Sequence, residues 1–123
     1  MPAWLFVFFG GGLGSVARWS ISRWLDSQEG SFPVGTFVAN IIACLFLGLL
    51  MGYHIKHPMV HQHRLLLMVG FCGGFSTFST FSAEILHLLK SGNHLLSLTY
   101  VAASLVAGLI AVYVGLKMFS GLE

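Results

Sequence analysis

Four long apolar segments divide the chain, and short polar segments separate them. The apolar segments run over about 4–24, 33–53, 65–89 and 95–119. Each is long enough to cross a hydrocarbon core of about 30 Å as a helix, which takes about 20 residues. The pattern predicts an all-α membrane protein with four transmembrane helices in one domain, residues 1–123. The apolar start of the chain predicts a retained first span and not a removable signal.

The composition is that of a chain whose solvent is lipid. Of the 123 residues, 56% are hydrophobic and 8% are charged, against about 25% charged residues in soluble domains. The net charge of +2 is too small and too scattered for a nucleic-acid partner. No nucleophile–base pair indicates an enzyme. We expect no disulfide between Cys44 and Cys72, because both lie in apolar segments.

Lysine and arginine are almost evenly divided between the two sides of the predicted protein. Four spans put both termini and the second loop on one side. The basic residues are Lys56, Arg64 and Lys117 on that side, and Arg23, Lys90 and, if it reaches the interface, Arg18 on the other. Since the asymmetry of these residues sets orientation, we expect insertion both ways and an antiparallel, dual-topology homodimer. The alternative is that something other than loop charge directs insertion.

The third apolar segment contains a polar run, GFCGGFSTFSTF, that contact with lipid does not explain. Gly73 and Gly74 lie near the predicted midplane, and each weakens a helix by about 1 kcal/mol relative to alanine. Hydroxyl residues interleaved with phenylalanines follow before Glu84. A third helix broken here frees backbone groups that protein, water or an ion must satisfy, and such breaks hold cations in transporters. The alternative is close packing at the glycines, with serine and threonine bonding back to their own helix.

Two phenylalanines in this run indicate where an anion could pass. Phe78 and Phe81 are three residues apart and share a helix face. The positive edges of their rings attract an anion without the strong hold of a fixed charge. Ser79, Thr80 and Ser82 add hydroxyl donors nearby. A packed core is the alternative interpretation of two phenylalanines at this spacing.

Polar residues also repeat at helical spacing in the second and fourth segments. Thr36 and Asn40 are four residues apart, and an asparagine amide at membrane depth needs hydrogen-bond partners. Asn40 either offers donors to an ion or joins two helices. Tyr100, Ser104 and Gly108 form a narrow polar stripe on an otherwise apolar helix.

The first segment combines small residues with one arginine. Gly10 and Gly14 form a face of small residues for close helix packing. Arg18 lies near the far interface, where it either extends its guanidinium to the headgroups or lines an anion entrance. We do not expect a metal site in the second loop, whose histidines have no cysteine or carboxylate partner: His54, His57, His61 and His63.

Three of these motifs together resemble one family. GGGLGSVAR in the first segment, GTFVAN in the second and GFCGGFSTFSTFSAE in the third are similar to the CrcB/Fluc fluoride channels, over essentially the whole chain. The resemblance implies passive export of fluoride, and hence fluoride resistance, by an antiparallel homodimer with two pores, each lined by both subunits. It also implies location in the plasma membrane, which is the inner membrane of a bacterium.

The resemblance further implies roles for particular residues. Backbone carbonyls of Gly73 and Ser76 from each subunit would hold a structural sodium ion at the dimer centre. Ser76 stands where many relatives have threonine, and Arg18 would lie in the vestibule. Thr36, in register with Asn40, and Glu84 are predicted near the pore. The predicted pore residues, with Ser79 added for its hydroxyl, are Asn40, Phe78, Phe81, Ser79, Thr80, Tyr100 and Ser104.

Two other functions fit part of the pattern. A small proton-coupled multidrug exporter can also be a four-span antiparallel dimer, but it needs a central membrane carboxylate, and Glu84 is predicted near a helix end. A non-transporting membrane partner would use the polar residues only for helix association. The residues and the resemblance together predict a fluoride channel, with fluoride as substrate and sodium as structural ion.

Overall fold

The computed structural model describes residues 1–25 and 30–121, and over these residues it is helical with no strand. In chain order the elements are α1 (Ala3–Trp24), α2 (Val34–Lys56), α3 (His61–Arg64), a π-helical segment (Leu65–Cys72), α4 (Gly73–Phe75), α5 (Phe78–Lys90) and α6 (His94–Ser120). The all-α prediction is therefore confirmed for the described part of the chain.

Three helical stretches of the described chain are long and apolar enough to cross a membrane: Val34–Lys56, His61–Lys90 and His94–Ser120. α1 is not among them, because its 22 residues include a glycine run and two arginines, Arg18 and Arg23. Many large apolar side chains point outward, among them Phe8, Leu105 and Leu109, as expected where lipid is the solvent. The chain is a multi-pass membrane protein.

Small residues set the distance between α2 and α6, which pack against each other in parallel. A methyl group added at Gly48 would lie 2.2 Å from the carbonyl oxygen of Val112, and one at Gly115 would lie 2.4 Å from that of Leu45. No side chain larger than hydrogen fits at either glycine without a shift of the backbone. Because lipid tails are as apolar as leucine, such close packing takes the place of a hydrophobic driving force between these helices.

The glycine face predicted in the first segment lies against the π-helical segment. A methyl group added at Gly10 would lie 2.1 Å from the carbonyl oxygen of Leu66, and one at Gly14 would lie 2.2 Å from that of Phe71. Both glycines are buried, so the predicted packing face is confirmed. This contact holds the π-helical segment against α1. The segment leads directly into α4, which ends at Phe75.

The described helices leave one face of α5 uncovered. The buried apolar residues form two clusters: Ala39, Ala43 and Phe75, and, between α5 and α6, Phe81, Leu88 and Tyr100. α5 packs chiefly against α6. Phe78, the first residue of α5, is consequently 79% exposed.

Gly48→Ala is expected to lower the free energy of unfolding by about 1–3 kcal/mol, a typical loss on overpacking, because its methyl group would meet the Val112 carbonyl oxygen at 2.2 Å. Thermal unfolding in detergent, followed by circular dichroism, measures this loss. The matched control is Gly12→Ala, since Gly12 is an exposed helix residue and no described atom lies within 4 Å of a methyl group added there. Equal losses in the two variants would contradict the close approach of α2 and α6.

Candidate functional site

The His61–Lys90 stretch is interrupted: helix ends at Phe75 and resumes at Phe78, with extended backbone between them. Ser76 has φ −83° and ψ 156°, and Thr77 has φ −148° and ψ 122°. The Thr77 hydroxyl accepts a hydrogen bond from the backbone N–H of Thr80 at 3.2 Å, so Thr77 caps the start of α5. The sequence interpretation missed this role, although threonine just before a helix is a common N-cap signal.

Asn40 of α2 holds this interruption through the backbone of Thr77. The Thr77 N–H donates to Oδ1 of Asn40 at 2.8 Å, and Nδ2 of Asn40 donates to the Thr77 carbonyl at 3.2 Å. The side chain thus supplies the acceptor that the Thr77 N–H lacks outside the helix, and a further donor to the carbonyl of the same residue. Since an amide nitrogen carries two hydrogens, the bond to Thr77 leaves one for a further acceptor. Asn40 joins two elements, which was one of the two interpretations of the sequence.

Two backbone carbonyls at the interruption lose their usual helical donors. In a continuous helix, Gly73 would accept from the N–H of Thr77, and Ser76 from that of Thr80. The Thr77 N–H instead donates to Asn40, and the Thr80 N–H donates to the Thr77 hydroxyl. Gly73 is exposed, and no described atom lies within 4 Å of a methyl group added there. The carbonyls of Gly73 and Ser76 are therefore suited to bind a cation, as unwound backbone does in transporters.

Arg18 of α1 contacts α4, directly before the interruption. Its Nε donates to the carbonyl oxygen of Gly74 at 3.2 Å, and the side chain is half-buried. Of the two interpretations of Arg18, this contact favours a place beside the polar run over simple extension to the headgroups. Only one of the five guanidinium N–H groups donates to Gly74. Arg18 therefore keeps further donors, on a positively charged side chain beside the interruption.

Phe78 and Phe81 lie side by side, as their spacing predicts, but they differ in burial. Their ring centroids are 6.0 Å apart, and Phe78 is 79% exposed while Phe81 is 9% exposed. Phe81 meets the ring of Tyr100 edge-on at 5.0 Å, and Tyr100 meets Phe32 in the same way at 5.2 Å. Phe32 was not among the predicted site residues, because a single apolar residue in a connecting segment has no pattern that points to this contact.

Glu84 binds one polar residue from each of two other helices. The Thr36 hydroxyl of α2 donates to Oε1 at 2.5 Å, and the Tyr100 hydroxyl of α6 donates to Oε2 at 3.1 Å. Glu84 lies near the end of the His61–Lys90 stretch, as the sequence predicted, and yet in the middle of α5. The reason is that the interruption at Ser76 begins a new, shorter helix. The carboxylate therefore joins three helices.

The parallel register of α2 and α6 puts Asn40 and Ser104 at the same level. The neighbouring pairs on either side are Thr36 with Tyr100, joined through a carboxylate, and Cys44 with Gly108. Asn40 and Ser104 each follow the first pair by four residues, or about one helical turn. The Ser104 hydroxyl is buried and has no hydrogen-bond partner among the described residues. A buried hydroxyl without a partner is rare enough to need an explanation.

Three hydroxyls of the polar run, those of Ser76, Thr77 and Ser79, are engaged close to the interruption. The Ser79 and Thr77 hydroxyls lie 3.3 Å apart, and Thr80 contributes its backbone N–H to the cap. The Ser76 hydroxyl donates to the carbonyl of Cys72, four residues earlier, at 2.9 Å. Bonding back to the same helix, the alternative weighed for this run, therefore accounts for the side chain of Ser76 but not for Thr77.

Neutral donors, ring edges and carbonyl oxygens make up most of the site. Arg18 is the nearby cation, and both oxygens of the Glu84 carboxylate accept hydroxyl donors. Over the described residues, no group of three or more His, Cys, Asp or Glu side chains is placed to hold a metal ion. A cation at the interruption would therefore be held by backbone oxygens, and an anion by hydroxyl, amide and ring-edge hydrogens.

Two kinds of comparison with known proteins agree on a family. The family model described as CrcB-like protein, Camphor Resistance (CrcB), matches residues 5–116. A protein named fluoride-specific ion channel FluC from Phocaeicola vulgatus is 41% identical over 119 residues, which are 96% of this chain and 98% of the relative. Fluoride-specific ion channel FluC 2 from Rhodococcus jostii is 44% identical over 116 residues, which are 94% of this chain and 97% of the relative. The chain belongs to the CrcB-like family.

Proposed function

We propose that this protein is a fluoride-selective ion channel that lets fluoride leave the cytoplasm passively and so protects the cell from its toxicity. Relatives that are 41% and 44% identical over nearly the whole chain carry the name fluoride-specific ion channel. The structural observation that carries the proposal is the buried Ser104 hydroxyl, which lacks a partner among the described residues. It lies at the level of Asn40, whose amide has a hydrogen left for an ion.

Neutral donors suit the conduction of a small, strongly hydrated anion. A pore has to replace the water around fluoride with other donors, yet bind it weakly enough for it to leave. Ser104 and Asn40 supply an O–H and an N–H at one level, and the ring edges of Phe78 and Phe81 add positive potential. Arg18 raises the concentration of anions near the site.

Thr36, Tyr100 and Glu84 have a supporting role in this proposal. Each of the two hydroxyls has a single hydrogen, and both hydrogens are directed at the carboxylate. These groups therefore hold α2, α5 and α6 together and position the ring of Phe81 against Tyr100. Ser104 lies one helical turn further along α6 than Tyr100, and its buried hydroxyl has no partner among the described residues.

We propose that α1 is the fourth transmembrane helix, beside the three long apolar stretches. Its 22 residues span about 33 Å at 1.5 Å per residue. Two interactions reduce the cost of its arginines in a membrane: Arg18 donates to the Gly74 carbonyl, and the Arg23 guanidinium lies 5.9 Å from the ring centre of Trp19 near the helix end. Four spans in the bacterial inner membrane are the arrangement that this pattern favours.

We also propose that two copies form an antiparallel homodimer through the face that carries the interruption. The exposed Phe78 and the open space beside Gly73 lie on the surface that a second copy would cover. The Gly73 and Ser76 carbonyls of both copies would then hold a sodium ion between them. A buried positive charge favours an anion in the neighbouring pore.

One-sided labelling tests the orientation. In a background with alanine at Cys44 and Cys72, Gln62→Cys and Ser91→Cys place a single exposed thiol at opposite ends of the chain. Because the basic residues are nearly balanced, a membrane-impermeant thiol reagent added to intact cells should reach about half of the copies of each variant. Labelling of nearly all copies of one variant and none of the other would overturn the dual topology.

Removal of sodium tests the ion at the interruption. Exchange of sodium for potassium should lower the thermal midpoint of the purified dimer and its dimer fraction by light scattering. Asn40→Ala should shrink this sodium effect, because the Thr77 N–H could return to the Gly73 carbonyl. Asn40→Asp keeps an acceptor for that N–H and should retain the effect. A dimer equally stable in both salts would argue against a structural sodium ion.

Ion efflux from liposomes that contain the purified protein tests the channel itself. Fluoride should leave rapidly, measured with a fluoride electrode, while chloride efflux stays at the level of protein-free liposomes. Ser104→Ala should reduce the fluoride rate by about tenfold, the effect of losing one hydrogen bond of about 1.4 kcal/mol. The same variant should be more stable than the unmodified protein, because the alanine removes a buried hydroxyl without a described partner.

The control for Ser104→Ala is Thr99→Ala on the same helix. The Thr99 hydroxyl is exposed and donates to the carbonyl of Leu95 in its own helix, so its loss should change neither flux nor stability. Equal fluoride and chloride rates would refute selectivity. No flux above the protein-free level would favour a non-transporting role, and a normal fluoride rate in Ser104→Ala would remove Ser104 from the pore.

A further inference from the structure

A cavity of about 590 Å³ lies where α2 and α6 end and α3 begins, well away from the interruption. Apolar and aromatic side chains make up most of its lining, among them Phe46, Leu50 and Phe119. Two histidines, His57 and His63, also line it. The volume is within the range of small-molecule sites, about 300–1,000 Å³. None of the described lining residues belongs to the proposed pore, so the cavity needs an explanation of its own.

The cavity lies near the ends of α2 and α6, where we expect the protein to meet the lipid headgroups. Lys56 is the last residue of α2, and Lys117 is in the last turn of α6. Tyr53 lines the cavity, with its ring 5.2 Å from that of His57 and 5.8 Å from that of Phe119. Tyrosine, with an apolar ring and a polar end, is enriched at this depth of a membrane. We therefore expect lipid to have access to the cavity.

Two basic residues are chain neighbours of the histidines that line the cavity. Lys56 directly precedes His57, Arg64 directly follows His63, and both basic side chains are exposed. Among the described residues the one carboxylate side chain is that of Glu84, which is bound to Thr36 and Tyr100 near the opposite end of α2. The positive charges beside the cavity therefore have no described carboxylate to neutralise them. Basic pockets between transmembrane helices at this level bind anionic headgroups.

We propose that this cavity binds an anionic phospholipid, with one acyl chain inside it and the headgroup phosphate at Lys56 and Arg64. The apolar lining fits the acyl chain, and the two basic side chains complement the phosphate. A zwitterionic phospholipid would fit the lining equally well but lacks the net negative charge that this end of the protein attracts. The proposal requires only that the chain lies in a membrane, and it does not depend on fluoride conduction.

The experiment compares lipid retention by the full-length protein. The protein is purified in detergent with equal amounts of phosphatidylglycerol and phosphatidylcholine that have the same acyl chains, and bound lipid is counted by native mass spectrometry. We expect the unmodified protein to retain phosphatidylglycerol preferentially. The double variant Lys56→Gln, Arg64→Gln should lose this preference by at least about fivefold, the effect of one basic side chain near a membrane surface. The control is Arg23→Gln, Lys90→Gln at the other end, which should keep the preference.

A second pair of variants tests the acyl-chain part of the site. Leu50→Trp fills the cavity and should reduce retention of both lipids, whereas Leu109→Trp, on a lipid-facing side chain that is 73% exposed, should not. Circular dichroism checks that each variant is folded, and the charge variants still test the proposal if Leu50→Trp is not. Equal retention of the two lipids by the unmodified protein would overturn the proposal. So would a Leu50→Trp variant that changes the dimer fraction but not lipid retention, because the cavity would then be an interface between copies.

Discussion

A backbone N–H or C=O group at membrane depth has no water to bond, so an interrupted helix needs partners from the rest of the protein. Here the two groups of Thr77 pair with the side chain of Asn40, and the Thr80 N–H pairs with the Thr77 hydroxyl. The Gly74 carbonyl accepts from Arg18. These contacts let α5 start as a separate helix at Phe78. From this helix Phe81 and Glu84 contact Tyr100 of α6.

The glycines of α1 make the bond of Arg18 to Gly74 geometrically possible. That reach requires α1 to lie close to the π-helical segment, and side chains larger than hydrogen at Gly10 or Gly14 would clash with its carbonyl oxygens. Gly48 in the same way sets the distance between α2 and α6. Close packing through small residues, rather than a large apolar core, therefore positions the polar groups.

The polar groups of the site divide according to whether the chain itself satisfies them. Thr36, Tyr100 and Glu84 satisfy one another and hold three helices together. The Ser104 hydroxyl lacks a partner among the described residues, and the Gly73 and Ser76 carbonyls have lost their usual helical donors. In the proposed channel the first group is structural and the second contacts ions. An unsatisfied buried donor or acceptor lowers stability, so the second group of residues does not serve folding, which is consistent with a role in function.

The sequence by itself determined the helices, the membrane environment and the positions of the polar residues, because period and composition are local properties of the chain. It also indicated the close packing face at Gly10 and Gly14. The tertiary structure alone decided the partners: Asn40 with Thr77, Thr36 with Glu84, and Arg18 with Gly74, which are 37, 48 and 56 residues apart. The π-helical segment Leu65–Cys72 is as apolar as an α-helix at the same depth would be, so the sequence pattern does not distinguish the two. The contacts of Glu84 with Thr36 and Tyr100, and that of Phe32 with Tyr100, likewise follow from how the helices pack, because a short stretch of residues does not determine which distant residue it meets.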